Sequence, residues 1–588
     1  MENSFPFSGD RRLQTGLVFR LLPYQILLIV IGAVNGIIDG LYASNIIGAE
    51  AMSAIGLYGP INHFLYAAGI VLVSGSQILY GQYLSKEKER IGRVFSADIL
   101  SSFILSLLIV LILTLGAVAN LTRVFVNEEV VLRALNSYIC GQAPGIPALL
   151  VGQQLFAFLS LENRTKRTMA SSIACLVVNC AANHLFVAVF HMGTLGLGLS
   201  TSLSMLTFLG ILAWPYLCGG SEVKFSLREF RLREAADIVR LGYSGGLSRF
   251  VEAFRCIIVN ALILRYAGSA GLSAFAATNS LFAIIWAYPF GLLAVERMLF
   301  SISFGEEDRR TLADTAHIII AKAVPIMCTI SAVLILCADP LTKMFYRDAA
   351  APVYRMTLMG FRLMPLCMPL GLCSLSYASW AQVARKRVMS ILLPIVDGAV
   401  GVVVCSFILI PILGMNGLYL ANILNGFICC VLIVVGAWIS LRRFPRNAED
   451  LLALPEGFGV VRSERLDITV RDIGDTVKVS EQVIDFCARR GVDSRRAFFA
   501  GLCLEEMAGN VVLHGFPKDD KKHSLDIRVT HKGDDVILRL RDNCIAFNPA
   551  EQVQADGIKN VGIRLACGIA KEFQYQNILG LNVLMMKI

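Results

Sequence analysis

Asp39 is a lone carboxylate inside an apolar run that begins near Leu21. An ionisable side chain within a membrane-length apolar segment is expensive, so its chemistry is expected to be functional: taking up and releasing a proton or an alkali cation. Asn35, Gly36 and Gly40 surround it and allow close helix packing and a wet cavity. The plainer reading is a structural hydrogen bond to a neighbouring helix. Asn179 and Asn183 stand four residues apart and share one helix face. They line the same cavity or act as polar glue between helices. His184 adjoins them but points elsewhere. Arg249, Glu252 and Arg255 recur at three-residue spacing. Glu252 is then a cation or substrate ligand, or one half of an intrahelical ion pair. Asp397 is isolated in a further apolar run, and Glu296-Arg297 and Lys322 are expected nearer the membrane interfaces.

A different constellation closes the chain. Glu506, Asn510 and His514 are four apart and predict one polar stripe on a helix. A carboxylate and an amide so placed can hold a water and a Mg²⁺ ion beside a nucleotide. That spacing alone is a weak signal. Asp542 at a strand end adds weight, as do Gly557 and Gly562, where a helix opens and backbone N–H groups can meet phosphate. Gly580-Leu581-Asn582 marks a final hairpin.

These groups need two kinds of scaffold. The 588 residues are 56% hydrophobic and 16% charged, with a mean hydropathy of +0.64; a soluble chain carries about 25% charge. Apolar runs begin near Leu21, Leu57, Ala97, Val131, Met169 and Leu195, then near Ala236, Leu272, Ala316, Met356, Val388 and Gly417. They predict about twelve spanning helices of roughly 20 residues or more. Two landmarks return at an offset of about 220 residues, as internal transporter repeats do. Gly48 and Ser53 match Gly268 and Ser273, and Gly193-Thr-Leu-Gly196 matches Gly414-Met-Asn-Gly417. Residues 15–441 are therefore read as two related halves.

Positive charge falls on alternate loops: Lys86, Lys88, Arg90 and Arg93; Arg164, Lys166 and Arg167; Lys224, Arg228, Arg231 and Arg233; Arg309 and Arg310; Arg385, Lys386 and Arg387. That pattern predicts a multi-pass protein of the cytoplasmic (inner) membrane with both termini cytosolic. The net charge of +9 belongs to those loops and is not read as nucleic-acid binding. The 16 cysteines lack metal-ligand spacing and are expected to be buried free thiols.

The expected organisation is a cytoplasmic N-terminus (1–15), an N-lobe (16–220), a C-lobe (221–441), a linker with Pro445, Pro455 and Gly457 (442–461), and a soluble α/β domain (462–588). In the last, Leu466, Ile468 and Val470 alternate as a strand, and an amphipathic helix ends at Gly491. A second helix starts at a Ser494 cap and reaches His514. Strands 525–530 and 536–541 flank Lys532-Gly533-Asp534, and a helix from about Val561 precedes two closing strands.

The stretch IIDGLYASNIIGAEAMSAIGL, the duplicated Gly-x-x-x-x-Ser-Ala and the stretch VVNCAANHLFVAVFHMGTLGLGLSTSLS resemble the multidrug and toxic compound extrusion (MATE) transporters over about three quarters of the chain. The resemblance implies two six-helix lobes, a central cavity of alternating access, and export of small organic cations in exchange for H⁺ or Na⁺. It maps the first-helix aspartate onto Asp39 and the fifth-helix asparagine onto Asn179. Asn183 stands where the family carries an aspartate, which leaves one carboxylate in that site. Glu252 falls where some sodium-coupled relatives carry a glutamate.

The segments LEEMAGNVVLHGF, RLRDNCIAFNP, GIKNVGIRLA and GLNVLMMKI resemble the anti-sigma-factor serine kinase branch of the histidine-kinase/Hsp90-like (GHKL, Bergerat) ATPases, an α/β sandwich, over about the last 125 residues. The implied cofactor is ATP with Mg²⁺. Asp542 would accept from the adenine amino group, Asn510 would hold Mg²⁺, Glu506 would be the general base, and Gly557 and Gly562 would lie near phosphate. Cys544 replaces a glycine of that family, which leaves a binding-only regulatory domain and an active serine kinase or ATPase both open.

The leading expectation is thus a bilayer-embedded exporter regulated by an ATP-binding tail, which lacks a Walker A loop that could power transport. The alternatives are a membrane-bound kinase or sensor acting on a STAS-domain, anti-sigma-antagonist-like partner, and a lipid-linked saccharide flippase.

Overall fold

The computed structural model describes residues 12–84, 87, 89–124, 129–162, 164–218, 223–346, 348–455, 457–460, 464–518, 523–532, 535–549 and 561–588. The first half of the membrane region runs as α1 (Arg12–Tyr42), α2 (Ala49–Leu84), α3 (Arg90–Val118), α4 (Glu129–Gln142), α5 (Gly145–Leu161), α6 (Thr165–Asn183) and α7 (Gly193–Leu217). The second half runs as α8 (Leu232–Ile285), α9 (Ala287–Gly305), α10 (Arg309–Ile318), α11 (Val324–Leu336), α12 (Ala338–Phe345), α13 (Pro352–Leu363), α14 (Cys367–Val383), α15 (Arg387–Ile395), α16 (Gly401–Leu413) and α17 (Met415–Leu441).

The helices are inside out relative to those of a soluble protein. On α3, Ile104, Leu107, Leu108, Leu111, Ile112 and Leu115 are exposed, whereas Asp98, Ser102 and Ser106 are buried. Lipid accepts the apolar face, and small polar side chains let helices approach. Ser102 and Ser106 donate back to the carbonyls of Ile99 and Phe103, so neither hydroxyl is left bare.

Among the described residues nine helices are long and apolar enough to cross a bilayer, or ten if α4 and α5, bent by 47°, count as one span. This is fewer than the twelve expected. The difference lies in α8 and α9. The continuous helix α8 carries Arg233, Glu234, Asp237, Arg240, Glu252, Arg255 and Arg265, so charge interrupts its apolar length. It also breaks at Gly268, where φ is 65° and ψ is −165°. Gly48, the residue matched to it by sequence, ends a wide turn after α1 with φ 131° and ψ −177°. The second matched pair, Gly193 and Gly414, has φ values of 59° and 58°. A Cβ disfavours those backbones, which explains glycine at both copies of each landmark.

Beyond α17 lie a short helix α18 (Ala448–Leu452), strand β1 (Arg465–Val470), α19 (Ile473–Arg489), α20 (Ser494–Asn510), β2 (Leu525–Lys532), β3 (Asp535–Asp542), α21 (Val561–Ile569), β4 (Glu572–Ile578) and β5 (Leu581–Lys587). The strands form one antiparallel sheet in the order β1-β2-β3-β5-β4. Leu579 and Gly580 both have positive φ in the β4–β5 turn, the conformation that matches a tight hairpin to strand twist. Asp493, rather than Ser494, caps α20 by accepting from the N–H groups of Arg495 and Arg496, because a carboxylate is a strong acceptor at a helix start. The helix also ends at Asn510, and a wider turn follows from Val511 to Gly515. The regular spacing that put His514 on the Glu506 stripe stops there.

One face of this sheet packs on its own helices, with Ile468, Val470, Ile527, Val529, Leu538, Leu540, Leu584 and Met586 against Val479, Val483, Leu504 and Ala508. The other face meets the membrane region. Leu579, Leu581 and Val583 join the cluster containing Leu13, Leu17 and Leu84. Arg539 and Arg541 on β3 reach Glu306 at 2.9 and 2.8 Å, and Arg528 and Arg539 reach Asp308 at 2.6 and 2.8 Å. Asp308 is also the cap of α10, accepting from the Thr311 N–H at 2.9 Å.

Burial pushes the Asp308 carboxyl up, but the guanidinium groups of Arg528, Arg539 and Arg541 and the Thr311 N–H outweigh it and hold it well below the usual range. A depressed folded-state value means that this contribution is complete above the ordinary aspartate pKa of about 3.9 and is lost as pH falls below it towards the depressed value. Docking of the sheet is therefore expected to hold through neutral pH and weaken in strong acid. Rising pepsin cleavage of the docked sheet as pH falls from about 4 towards 2 would register it.

Candidate functional site

Asp39 sits near the end of α1 and is 7% exposed. Asn183 Nδ2 donates to its Oδ1 at 2.7 Å, and Thr201 Oγ1 donates to its Oδ2 at 3.2 Å. Asn183 also donates to Asn179 Oδ1 at 3.2 Å and accepts from the Ser200 hydroxyl. The sequence-predicted trio Asp39, Asn179 and Asn183 is thus one cluster formed by α1 and α6. Two members from α7, Ser200 and Thr201, were missed as site residues. Their only sequence signal was position: α7 opens at Gly193, and they follow in its polar stretch. Among the described residues Asp39 forms no ion pair, and a carboxylate held by neutral donors can exchange a proton or a small cation without breaking one.

Glu252 lies elsewhere, in the second half. It pairs with Arg255 on the same helix at 3.0 Å, and both are half-buried. Arg255 also reaches the Asp397 carbonyl at 3.5 Å, and Asn425 Nδ2 donates to Asp397 Oδ1 at 3.0 Å. Of the two readings of Glu252, the geometry contains the intrahelical ion pair. Glu296 and Arg297, expected nearer interfaces, are 1% and 7% exposed. Their helix α9 is packed against α1, α2 and α14, and Ser376 donates to Glu296 Oε1 at 2.9 Å. Lys322 reaches Thr15 Oγ1 at 3.1 Å.

In the C-terminal domain, Asp542 ends β3 and is 5% exposed. Its Oδ1 accepts from Asn582 Nδ2 at 2.8 Å and from the Cys544 N–H at 2.9 Å. Burial pushes this carboxyl up, against those same donors. Asn582, itself held by Tyr575 at 2.7 Å, is a positioning residue that strand spacing did not single out. Glu506 and Asn510 are half-buried on α20, and His514 is exposed past its end. Gly562 packs on Glu506: a Cβ there would stand 2.0 Å from Oε2. Cys544 is buried, and its sulfur lies 3.0 Å from where a Gly515 Cβ would be. The Asp542 loop therefore closes on the end of the α20 segment, while Gly562 covers its Glu506 side. Gly557 lies outside the described residues.

Residues 26–185 and 246–409 match the MatE family model. The chain is 24% identical over 362 residues to the probable multidrug resistance protein NorM of Neisseria meningitidis serogroup B (strain ATCC BAA-335 / MC58), covering 59% of this chain and 76% of that one. It is 23% identical over 354 residues to the probable NorM of Photorhabdus laumondii subsp. laumondii, covering 58% and 76%. Two solved structures share the fold. One is an outward-facing multidrug resistance MATE family transporter of the MOP superfamily, with TM-score 0.66 and 19% identity over 72% of this chain and 94% of that one. The other is a MOP superfamily transporter from Pyrococcus furiosus, described by the reverse polarity of its binding pocket, with TM-score 0.68 and 19% identity over 76% and 98%.

Proposed function

The chain belongs to the MatE family of multi-pass membrane transporters, and from that premise we propose that it exports small organic cations from the cytosol across the cytoplasmic membrane in exchange for H⁺ or Na⁺, under the control of an ATP-binding C-terminal domain. The observation that carries the coupling is the Asp39 cluster: a buried carboxylate held by Asn183 and Thr201, neutral donors on two other helices. A group so placed holds a proton or cation in one state of the cycle and releases it in the other. Loop charge supports cytosolic termini, and the NorM relatives support multidrug substrates.

The test is efflux of a fluorescent organic cation from proteoliposomes under an imposed proton gradient and, separately, a sodium gradient. Flux driven by either gradient is expected. Flux no greater than in protein-free vesicles under both would overturn the reading.

The nucleotide part rests on the resemblance of the tail to the GHKL-type kinases together with the meeting of Asp542, α20 and Gly562. These residues fit an ATP–Mg²⁺ group: Asn510 would hold the metal, Glu506 would act as general base, and Asp542 would accept from the base through Oδ2, which takes neither the Asn582 nor the Cys544 N–H bond. The bound nucleotide would supply phosphoryl charge, and the domain's residues would orient it. Because a Cβ at Gly562 must displace the Glu506 carboxylate, Gly562→Ala is expected to weaken ATP binding to the full chain by about tenfold or more. Isothermal titration reads this directly, and unchanged affinity would remove Gly562 and Glu506 from the pocket.

A further inference from the structure

The membrane-facing side of the C-terminal sheet touches both halves of the transporter. On the first half, Arg20 of α1 donates to the Leu579 carbonyl, and Gln576 Nε2 donates to the Leu84 carbonyl at the end of α2 at 3.3 Å. Leu581 and Val583 belong to the same buried apolar cluster as Leu13 and Leu17. On the second half, the α9–α10 junction supplies Glu306 and Asp308 to Arg528, Arg539 and Arg541, and Arg310 reaches Asp467 of β1 at 3.3 Å. These partners are nearly dry: the side chains of Asp308, Glu306 and Arg541 are 0%, 7% and 9% exposed.

At the same end of the molecule the two halves are themselves in close register. A Cβ on Gly75 would stand 1.9 Å from the Ile238 carbonyl oxygen, one on Gly242 1.8 Å from that of Val71, and one on Gly305 2.5 Å from that of Gly81. The halves meet backbone to backbone at these three places.

We infer that the C-terminal sheet is a latch that grips the base of both halves and keeps that end of the transport path closed, the α9–α10 junction being where it lets go. This deepens the exporter reading and rests on it, since closing one end matters only to a path that opens at alternate ends. The physical argument is one of geometry. Separating the halves at the base would pull Glu306 and Asp308 away from the arginines of a sheet still held by α1 and α2. Each charge left behind would be buried without its partner, which is the costly outcome for a desolvated ion pair. Opening therefore requires the sheet to undock from one half first. Arg541 directly precedes Asp542 in β3, so a ligand at Asp542 would act one residue from the latch.

Hydrogen exchange on the full chain in nanodiscs, without nucleotide or substrate, tests the latch. In Arg539→Ala/Arg541→Ala, amides at the base, in residues 71–84 and 238–246, are expected to exchange on the order of tenfold faster, while the core amides of β2 and β3 stay protected. Arg20→Ala and Glu306→Gln, each cutting the grip from one half, should move the same amides in the same direction. Should the double arginine variant lose β-core protection, the two single variants carry the test alone. Base exchange equal to wild type in an undocked but folded variant would overturn the latch. Efflux is measured separately, so unchanged base exchange with intact gradient-driven transport would sink only the latch. Accelerated base exchange without any transport would sink the exporter reading instead.

Discussion

Asp39→Asn is expected to reduce gradient-driven efflux to the level of protein-free vesicles, a loss on the order of a hundredfold or more, while the thermal midpoint moves by only a few degrees. The substitution keeps the shape of the site. Its carbonyl oxygen still accepts from Asn183 Nδ2, which now reaches Oδ1 at 2.7 Å. The new amide nitrogen faces Thr201 Oγ1, which lies 3.2 Å from the Leu197 carbonyl and can donate there while accepting from the amide. What disappears is the negative charge on which the proposed proton or cation coupling rests. Asn179, Asn183, Ser200 and Thr201 are all neutral, so no second carboxylate in the cluster can replace it. That makes the loss complete rather than partial. Efflux retained under both gradients would take Asp39 out of the coupling mechanism. Thr201→Val, which removes one donor and leaves the charge, should slow transport far less.

The parts of this cluster differed in how well they could be read beforehand. Asp39 and the two asparagines stand out because amide and carboxylate groups are rare in apolar helices and must find partners. Thr201 does not stand out. A membrane threonine can satisfy its hydroxyl on its own helix, as Thr201 does with Leu197, so its second role towards Asp39 shows only when α1 and α7 are placed side by side. Glu252 had two readings with the same residue spacing, and its 3.0 Å contact with Arg255 is the ion pair named in one of them. The glycine landmarks were legible because a backbone requirement recurs with the repeat.

The docked face of the sheet was hidden for a different reason. Asp467, Asp526, Arg528, Arg539 and Arg541 alternate with core residues along three strands. Charge at every second position ordinarily marks a solvated face. Here the arginines of that pattern are buried against Glu306 and Asp308, more than 200 residues earlier in the chain. Periodicity reports that two faces differ, but not what lies against the polar one. At α8 the sequence reading counts two runs, near Ala236 and Leu272, where the fold has one charge-bearing helix broken at Gly268 and packed on α2.

The second large effect is expected at Asp542. Asp542→Asn should lower the affinity of the full chain for ATP by roughly tenfold to a hundredfold, the worth of a hydrogen bond to a charged group, while leaving the domain folded. Oδ1 of Asp542 is already committed to Asn582 and to the Cys544 N–H. An asparagine carbonyl can serve both, so the local fold keeps its partners. Oδ2, which takes neither of these two bonds, is the atom proposed to accept from an adenine amino group. In asparagine that position becomes an NH₂ donor, and two donors would face each other. Asn582→Ala should cost less affinity, because it loosens the carboxylate without changing what it offers. Guanine carries a carbonyl where adenine carries the amino group, so GTP should bind poorly to wild type and gain relative to ATP in Asp542→Asn. Isothermal titration with both nucleotides reads the inversion. Equal ATP affinity in wild type and variant would remove Asp542 from the base contact and leave the tail's resemblance to nucleotide-binding kinases without its anchoring residue.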